Sequence, residues 1–144
     1  MDQKTTGELM QLLSSAKNIS DLKQYTDALA DMTSSVTFPE YLNELMHARG
    51  VTASKLISAA QIQRNYGYQI LDSRRSPSRD KVISLCLALK LELPETQRAL
   101  TLTKNGQLYS KNKRDSILIF AFGKKLSVID TNVLLEEMNE PVLN

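Results

Sequence analysis

From residue 37 onward, apolar positions recur three and four residues apart and are interrupted by polar capping residues, Gly or Pro. That is the pattern of short amphipathic helices. Thr37 opens a T-x-x-E capping box with Glu40, and Pro39 falls in the first turn, where its missing N–H costs nothing. The stripe Phe38, Leu42, Leu45 follows, and Gly50 ends this helix. Thr52 caps a second helix to Ala60, and a third runs from Gln63 to Asp72. Pro77-Ser78 starts a fourth over Arg79–Lys90, with Val82, Leu85, Cys86 and Leu89 inward. Leu93–Leu102 forms a fifth, with Pro94 and Glu95 in its first turn.

Upstream, Leu9, Leu12, Leu13 and Ala16, then Leu22, Tyr25, Leu29 and Met32, predict a helical hairpin whose second arm is capped by Ser20. Thr33–Thr37 is a polar connector. Past the Asn105-Gly106 break, Ser110 and Ser127 are candidate caps of two more helices, with Gly123 between them. Ser116–Phe122 fits a buried strand or a helix by periodicity alone. Its Lys/Arg flanks, the Gly123 stop and the lack of a partner strand favour a helix. The chain therefore reads as all-α in three parts: an N-terminal helical hairpin over 1–36, a five-helix segment over 37–105 and a C-terminal helical extension over 106–144.

Composition narrows the function class. The 144 residues are 42% hydrophobic and 24% charged, ordinary for a globular domain with short appendages. The longest apolar run, Ile117–Phe122, falls far short of the ~20 residues that cross a bilayer. Met1–Gly7 lacks the charged-then-apolar layout of a signal peptide, and a cytoplasmic location is expected. Cys86 is the one cysteine, which excludes an intramolecular disulfide, and its apolar setting predicts a buried thiol. His47 is the one histidine, so no Cys/His metal set exists. No Gly-rich phosphate loop or nucleophile motif occurs. Asp130, Glu136 and Glu137 read as solvated acids. No catalytic residue, cofactor or metal is expected, and the chain does not read as an enzyme.

The net charge is +2, but it is unevenly spread. Residues 1–36 carry three basic against five acidic side chains, 37–105 ten against six, and 106–144 five against five. The excess lies in Arg64, Arg74, Arg75, Arg79 and Lys81, a local electrostatic footprint for an anionic partner.

At 100° per residue, Gly67, Ile70 and Leu71 face one side of the third helix, and Arg64, Asn65, Tyr68, Gln69 and Asp72 the other. That outer face suits base reading: Arg bonds guanine through two donors, and Asn and Gln do the same with adenine. Tyr68 suits a thymine methyl or a phosphate. Free N–H groups at the helix starts near Thr52, Ser54 and Ser78, with the charges of Arg74, Arg75, Arg79 and Lys81, suit phosphates. The plain alternative is an ordinary solvated face, or ion pairs with Asp72 or Asp80.

In order and spacing, Gly50-Val51-Thr52, Leu56, Ile62, Arg64, Ile70, Arg75, Pro77-Ser78, Leu85, Ala88-Leu89, Leu91, Leu93 and Glu95 resemble the XRE (lambda-repressor-like) helix-turn-helix family. The resemblance implies a lambda-repressor-like five-helix bundle over Phe38–Leu102, with the third helix as recognition helix. It also implies a sequence-specific DNA-binding transcriptional regulator on double-stranded DNA. Four positions depart from the family pattern. Ile57 stands where Ala is usual and Gly67 where Ile or Val is usual, a volume-conserving exchange that predicts close helix packing at that point. Gln61 replaces the Gly of the left-handed turn, which points to an altered turn, and Ala53 replaces a frequent DNA-contacting Gln.

A protein-interaction adaptor or antitoxin-type repressor on the same fold is the competing class, since a fold does not specify its partner. The all-round apolar Ile117–Phe122 leaves two readings open. One is a homodimer interface through Ile117, Ile119 and Phe120. The other is a central strut packed by Val128, Ile129, Val133 and Leu134.

Overall fold

Seven helices and no strand occupy residues 36–144, the part of the chain that the computed structural model describes. They are α1 (Phe38–Arg49), α2 (Ala53–Ala59), α3 (Arg64–Leu71), α4 (Arg79–Ala88), α5 (Leu93–Leu102), α6 (Lys113–Gly123) and α7 (Val128–Glu137). The helical hairpin expected in 1–36, with Ser20 as its cap, lies outside the described residues. Ser116–Phe122 is helical, within α6. Among the described residues no helix is long and apolar enough to cross a membrane.

Local chemistry sets most of these boundaries. Thr52, Ser78 and Ser127 cap α2, α4 and α7, each accepting a hydrogen bond from the amide three residues on. Glu92 and Glu95 form a reciprocal capping box at α5, beside Pro94. The cap of α6 is Asn112, not Ser110. Ser110 lies in a turn closed by the Asn112 amide on the Tyr109 carbonyl, and Asn caps as well as Ser.

All seven helices end the same way. Gly50, Gln61, Ser73, Lys90, Lys104, Lys125 and Asn139 each take a left-handed φ of 54–70°. After each, the next amide reaches back to a carbonyl in the last turn, for example Val51 to Met46, Ile62 to Ile57 and Leu91 to Cys86. Four of the six connections between helices are only three or four residues long, and the two others, α3 to α4 and α5 to α6, take seven and ten. Six of the seven positions hold a side chain where glycine is the easy choice.

The core centres on α4, whose Val82, Ile83, Ser84, Leu85, Cys86 and Leu87 are all buried. A helix buried on every side must have neighbours all round, and α4 packs against α2, α5 and α7. In α1 the inward stripe is Phe38, Leu42 and Met46, with Leu45 only half-buried. Helices α6 and α7 pack on each other and on α5 and α4, so Phe38–Asn144 makes one compact unit. Ile117, Leu118, Ala121 and Phe122 of α6 are buried, which leaves Ile117 no part in a surface contact. Val128 and Leu135 meet the core from α7, whereas Ile129 and Val133 stand 57% and 50% exposed. The all-round buried strut is thus α4, and α6 is an ordinary two-sided helix with Phe120 outside.

Burial accounts for Cys86 and Tyr41. Removal from water pushes the Cys86 thiol up to about 12, against an opposing hydrogen bond with Thr96. Tyr41, half-buried under Arg98 and donating to the Glu95 carbonyl at 3.1 Å, is likewise raised to about 12, by burial first and Glu95 second. Neither group ionises near neutral pH.

Candidate nucleic-acid interface

Helix α3 is only eight residues long and depends on its neighbours for position. Gln63 caps it, its Oε1 accepting from the Tyr66 amide at 2.8 Å, so that Arg64 is the first helical residue. Ile70 is fully buried and Gly67 is buried against α2. A Cβ built on Gly67 would lie 2.6 Å from Ile57 Cγ2, 2.7 Å from Cγ1 and 2.9 Å from Cδ1. The two helices therefore touch backbone to side chain at this point, as the exchange of bulk between Ile57 and Gly67 predicts. Between them the turn keeps a left-handed residue, Gln61 at φ 58°, whose Nε2 donates to the Ser58 carbonyl at 3.0 Å. The absence of glycine has not altered that left-handed step.

The opposite face of α3 gathers the expected base-reading residues. Arg64 and Asn65 are exposed, and Tyr68 and Gln69 are half-buried at the same surface. The Arg64 guanidinium lies over the Tyr68 ring, 5.8 Å from its centroid. Helix α2 presents Thr52, Ser54 and Lys55 to solvent beside it.

The basic residues that follow fall into three situations. Arg75 is exposed, and its guanidinium has no partner among the described residues. Arg74 is folded back onto Asp72, with Nε donating to Oδ2 at 2.8 Å and its amide to Oδ1 at 3.2 Å. The hydrogen bond from Arg74 holds the Asp72 carboxyl below its ordinary range, and the pair presents little net charge. Lys81 stands with Nζ 6.0 Å from the centroid of Tyr66, which holds it beside α3. Tyr66 falls between the inner and outer faces on a helical projection, and so the sequence pattern did not single it out.

Arg79 sits elsewhere. Its guanidinium donates to both Asp115 oxygens at 3.0 and 2.8 Å, and to the Gly106 and Gln107 carbonyls at 2.8 and 3.1 Å. Asp115 is buried, and a buried carboxylate requires such a partner. Arg79, expected at a phosphate, is committed here to Asp115, and its ion-pair partner is neither Asp72 nor Asp80. Asp80 instead takes Arg114 in a matching two-pronged pair at 3.0 and 2.9 Å, and accepts the Asn144 amide at 3.1 Å. Burial alone would raise the Asp80 carboxyl, but the Arg114 hydrogen bonds and the Asn144 amide outweigh it and hold the group below its ordinary range. The two pairs form a crossed clasp between the first turns of α4 and α6. The same Arg-Asp dipeptide, at 79–80 and 114–115, supplies both halves of the clasp.

An open cleft of about 520 Å³ beside this clasp is lined by Arg79, Lys113, Arg114, Asp115 and Glu140 among others. Its charges are already matched, with Lys113 3.8 Å from Glu140. No cluster of His, Cys, Asp or Glu among the described residues is arranged to hold a metal ion. No family model, curated protein or solved structure matches the chain.

Proposed function

We propose that the protein is a sequence-specific DNA-binding transcriptional regulator of lambda-repressor-like helix-turn-helix type, with no enzymatic activity. In this reading α1 to α5 are the five-helix bundle and α3 enters the major groove. One observation carries it: Arg64, Asn65, Tyr68 and Gln69 share the solvent face of a short helix whose other face is locked against α2. Guanidinium and carboxamide groups on a rigidly seated helix are the chemistry that distinguishes base edges. Arg75 and Lys81 supply backbone charge, Thr52, Ser54 and Ser78 supply hydroxyls at helix starts, and Arg74 contributes only on release from Asp72.

The exposed Phe120, Ile129 and Val133 favour a second role for α6 and α7 as a surface for a protein partner or a second copy. A dimer would let one short α3 per subunit read two half-sites. This is also where the adaptor or antitoxin-type reading would find its partner.

The test is a selection from random duplex DNA at two salt concentrations. The regulator reading expects an enriched motif of two-fold symmetry, with preference at single positions relaxed by Arg64→Ala, Asn65→Ala or Gln69→Ala. Absence of any enriched motif would leave the protein-adaptor reading in its place.

A further inference from the structure

We propose that Arg64 and Tyr68 act together as a reader of a two-base step: a guanine preceded on its 5′ side by a pyrimidine bearing a C5-methyl group. Both thymine and 5-methylcytosine carry that methyl group. The inference rests on α3 being the recognition helix.

The proximity of Arg64 to the Tyr68 ring on the exposed face of α3 carries the argument. Arg64 Cζ lies 5.8 Å from the centroid of the Tyr68 ring, one helical turn away. Arg64 has no ion-pair or hydrogen-bond partner among the described residues, so its N–H groups remain unspent. Of the arginines in and after α3, Arg74 is tied to Asp72 and Arg79 to Asp115. Arg75 is unpaired but lies beyond the helix. A guanidinium held near an aromatic ring and bonded to nothing else keeps its forked donors for an acceptor pair such as O6 and N7 of guanine. Tyr68 is itself half-buried and packed against the core, which narrows the positions open to its ring. Ordering the pair before DNA arrives lowers the entropy lost on binding.

The same geometry specifies the neighbour. In right-handed duplex DNA, C5 of the pyrimidine on the 5′ side of a guanine overhangs that guanine's major-groove edge. With Arg64 on that guanine, a methyl group there would lie against the guanidinium, on the side where Tyr68 adds apolar surface. Unmethylated cytosine presents only a hydrogen, and the gap it leaves forfeits that dispersion attraction. Asn65 and Gln69 carry carboxamides, which address hydrogen-bonding edges rather than a methyl group.

The experiment uses the full chain and the site recovered by selection. The base 5′ to the guanine assigned to Arg64 is replaced in turn by dT, dU, dC and 5-methyl-dC, each with its complement, and affinity is read by fluorescence anisotropy. The pairs dT/dU and 5-methyl-dC/dC each differ by one methyl group alone. The expected result is about three- to tenfold tighter binding of the methylated member of each pair. Tyr68→Ala should abolish that ratio while the guanine preference persists, Tyr68→Phe should keep it, and Arg64→Ala should lose the guanine preference. If guanine is read but dT and dU bind alike to the unmodified protein, this inference is overturned and α3 stands as recognition helix. If no motif is selected at all, both readings fall.

Discussion

Ile57 and Gly67 form a single contact in which the bulk of one occupies the space left by the other. Any Cβ on Gly67 would come within 2.6–2.9 Å of three Ile57 carbons, and Ile57 is itself 2% exposed and enclosed. Gly67 costs α3 about 1 kcal/mol in helix propensity relative to Ala. The close approach it permits sets α3 on α2, and through that the direction in which Arg64 and Tyr68 point.

A double-mutant cycle tests this coupling. Gly67→Ala alone should destabilise by about 1–3 kcal/mol despite its better propensity, because Ile57 is branched next to the backbone and has nowhere to move. Ile57→Ala alone should cost about 2–5 kcal/mol as a cavity. The double variant should cost less than the sum by at least about 1 kcal/mol in urea denaturation. Simple additivity would mean the two positions are independent.

The turn between α2 and α3 makes a separate prediction. Gln61 holds a left-handed conformation that disfavours any side chain by about 1 kcal/mol. Its hydrogen bond to Ser58 is exposed and returns little. Gln61→Gly should therefore raise the melting temperature by a few degrees, with base preference unchanged. A lower melting temperature would show that the Gln61 side chain contributes more than the strain it carries.

The Asp80–Arg114 pair predicts how stability responds to acid. The folded-state Asp80 carboxyl is held below its ordinary value near 3.8, so its contribution is complete above that pH and is lost as pH falls through the lower folded value. Asp80→Asn should therefore cost about 1.5–3 kcal/mol at pH 7. The gap between the two proteins should narrow only below about pH 4. Chemical denaturation at pH 7, 5 and 3 measures it, and a gap that closes between pH 7 and 5 would assign the stabilisation to another group.

Arg75 and Arg79 should separate cleanly although they lie four residues apart. Arg75→Ala should leave stability unchanged and flatten the slope of log affinity against log salt by about 0.9, the signature of one phosphate contact fewer. Arg79→Gln should destabilise, because Asp115 would be left buried without its cation, and should leave that slope unaltered in the folded fraction. Thermal melts and salt titrations of both variants distinguish the two roles.

Helix positions were legible in the chain because caps act within three residues. Thr52, Ser78 and Ser127 bond the amide three positions ahead, and Gly50 closes α1 where expected. The outer face of α3 was legible for a similar reason: a fixed 100° step places Arg64, Asn65 and Tyr68 together whatever surrounds them. The pairing of Arg79 was not legible, because Asp115 is 36 residues distant and nothing local distinguishes a solvated arginine from a clasped one. Nor was the central place of α4 over α6. Both are apolar runs, and the number of sides on which each is buried depends on how many helices arrive from elsewhere in the chain.

The segment from α2 to α3 shows the same division. Local sequence was enough to shape α2, its cap and the polar face of α3, since hydrogen bonds to the nearest amides and the helical repeat are short-range. Tertiary packing decided the left-handed conformation of Gln61, the seating of Gly67 on Ile57 and the engagement of Arg79 by the buried Asp115. Each of these balances a local cost, in strain, propensity or desolvation, against contacts that exist only once distant parts of the chain have met.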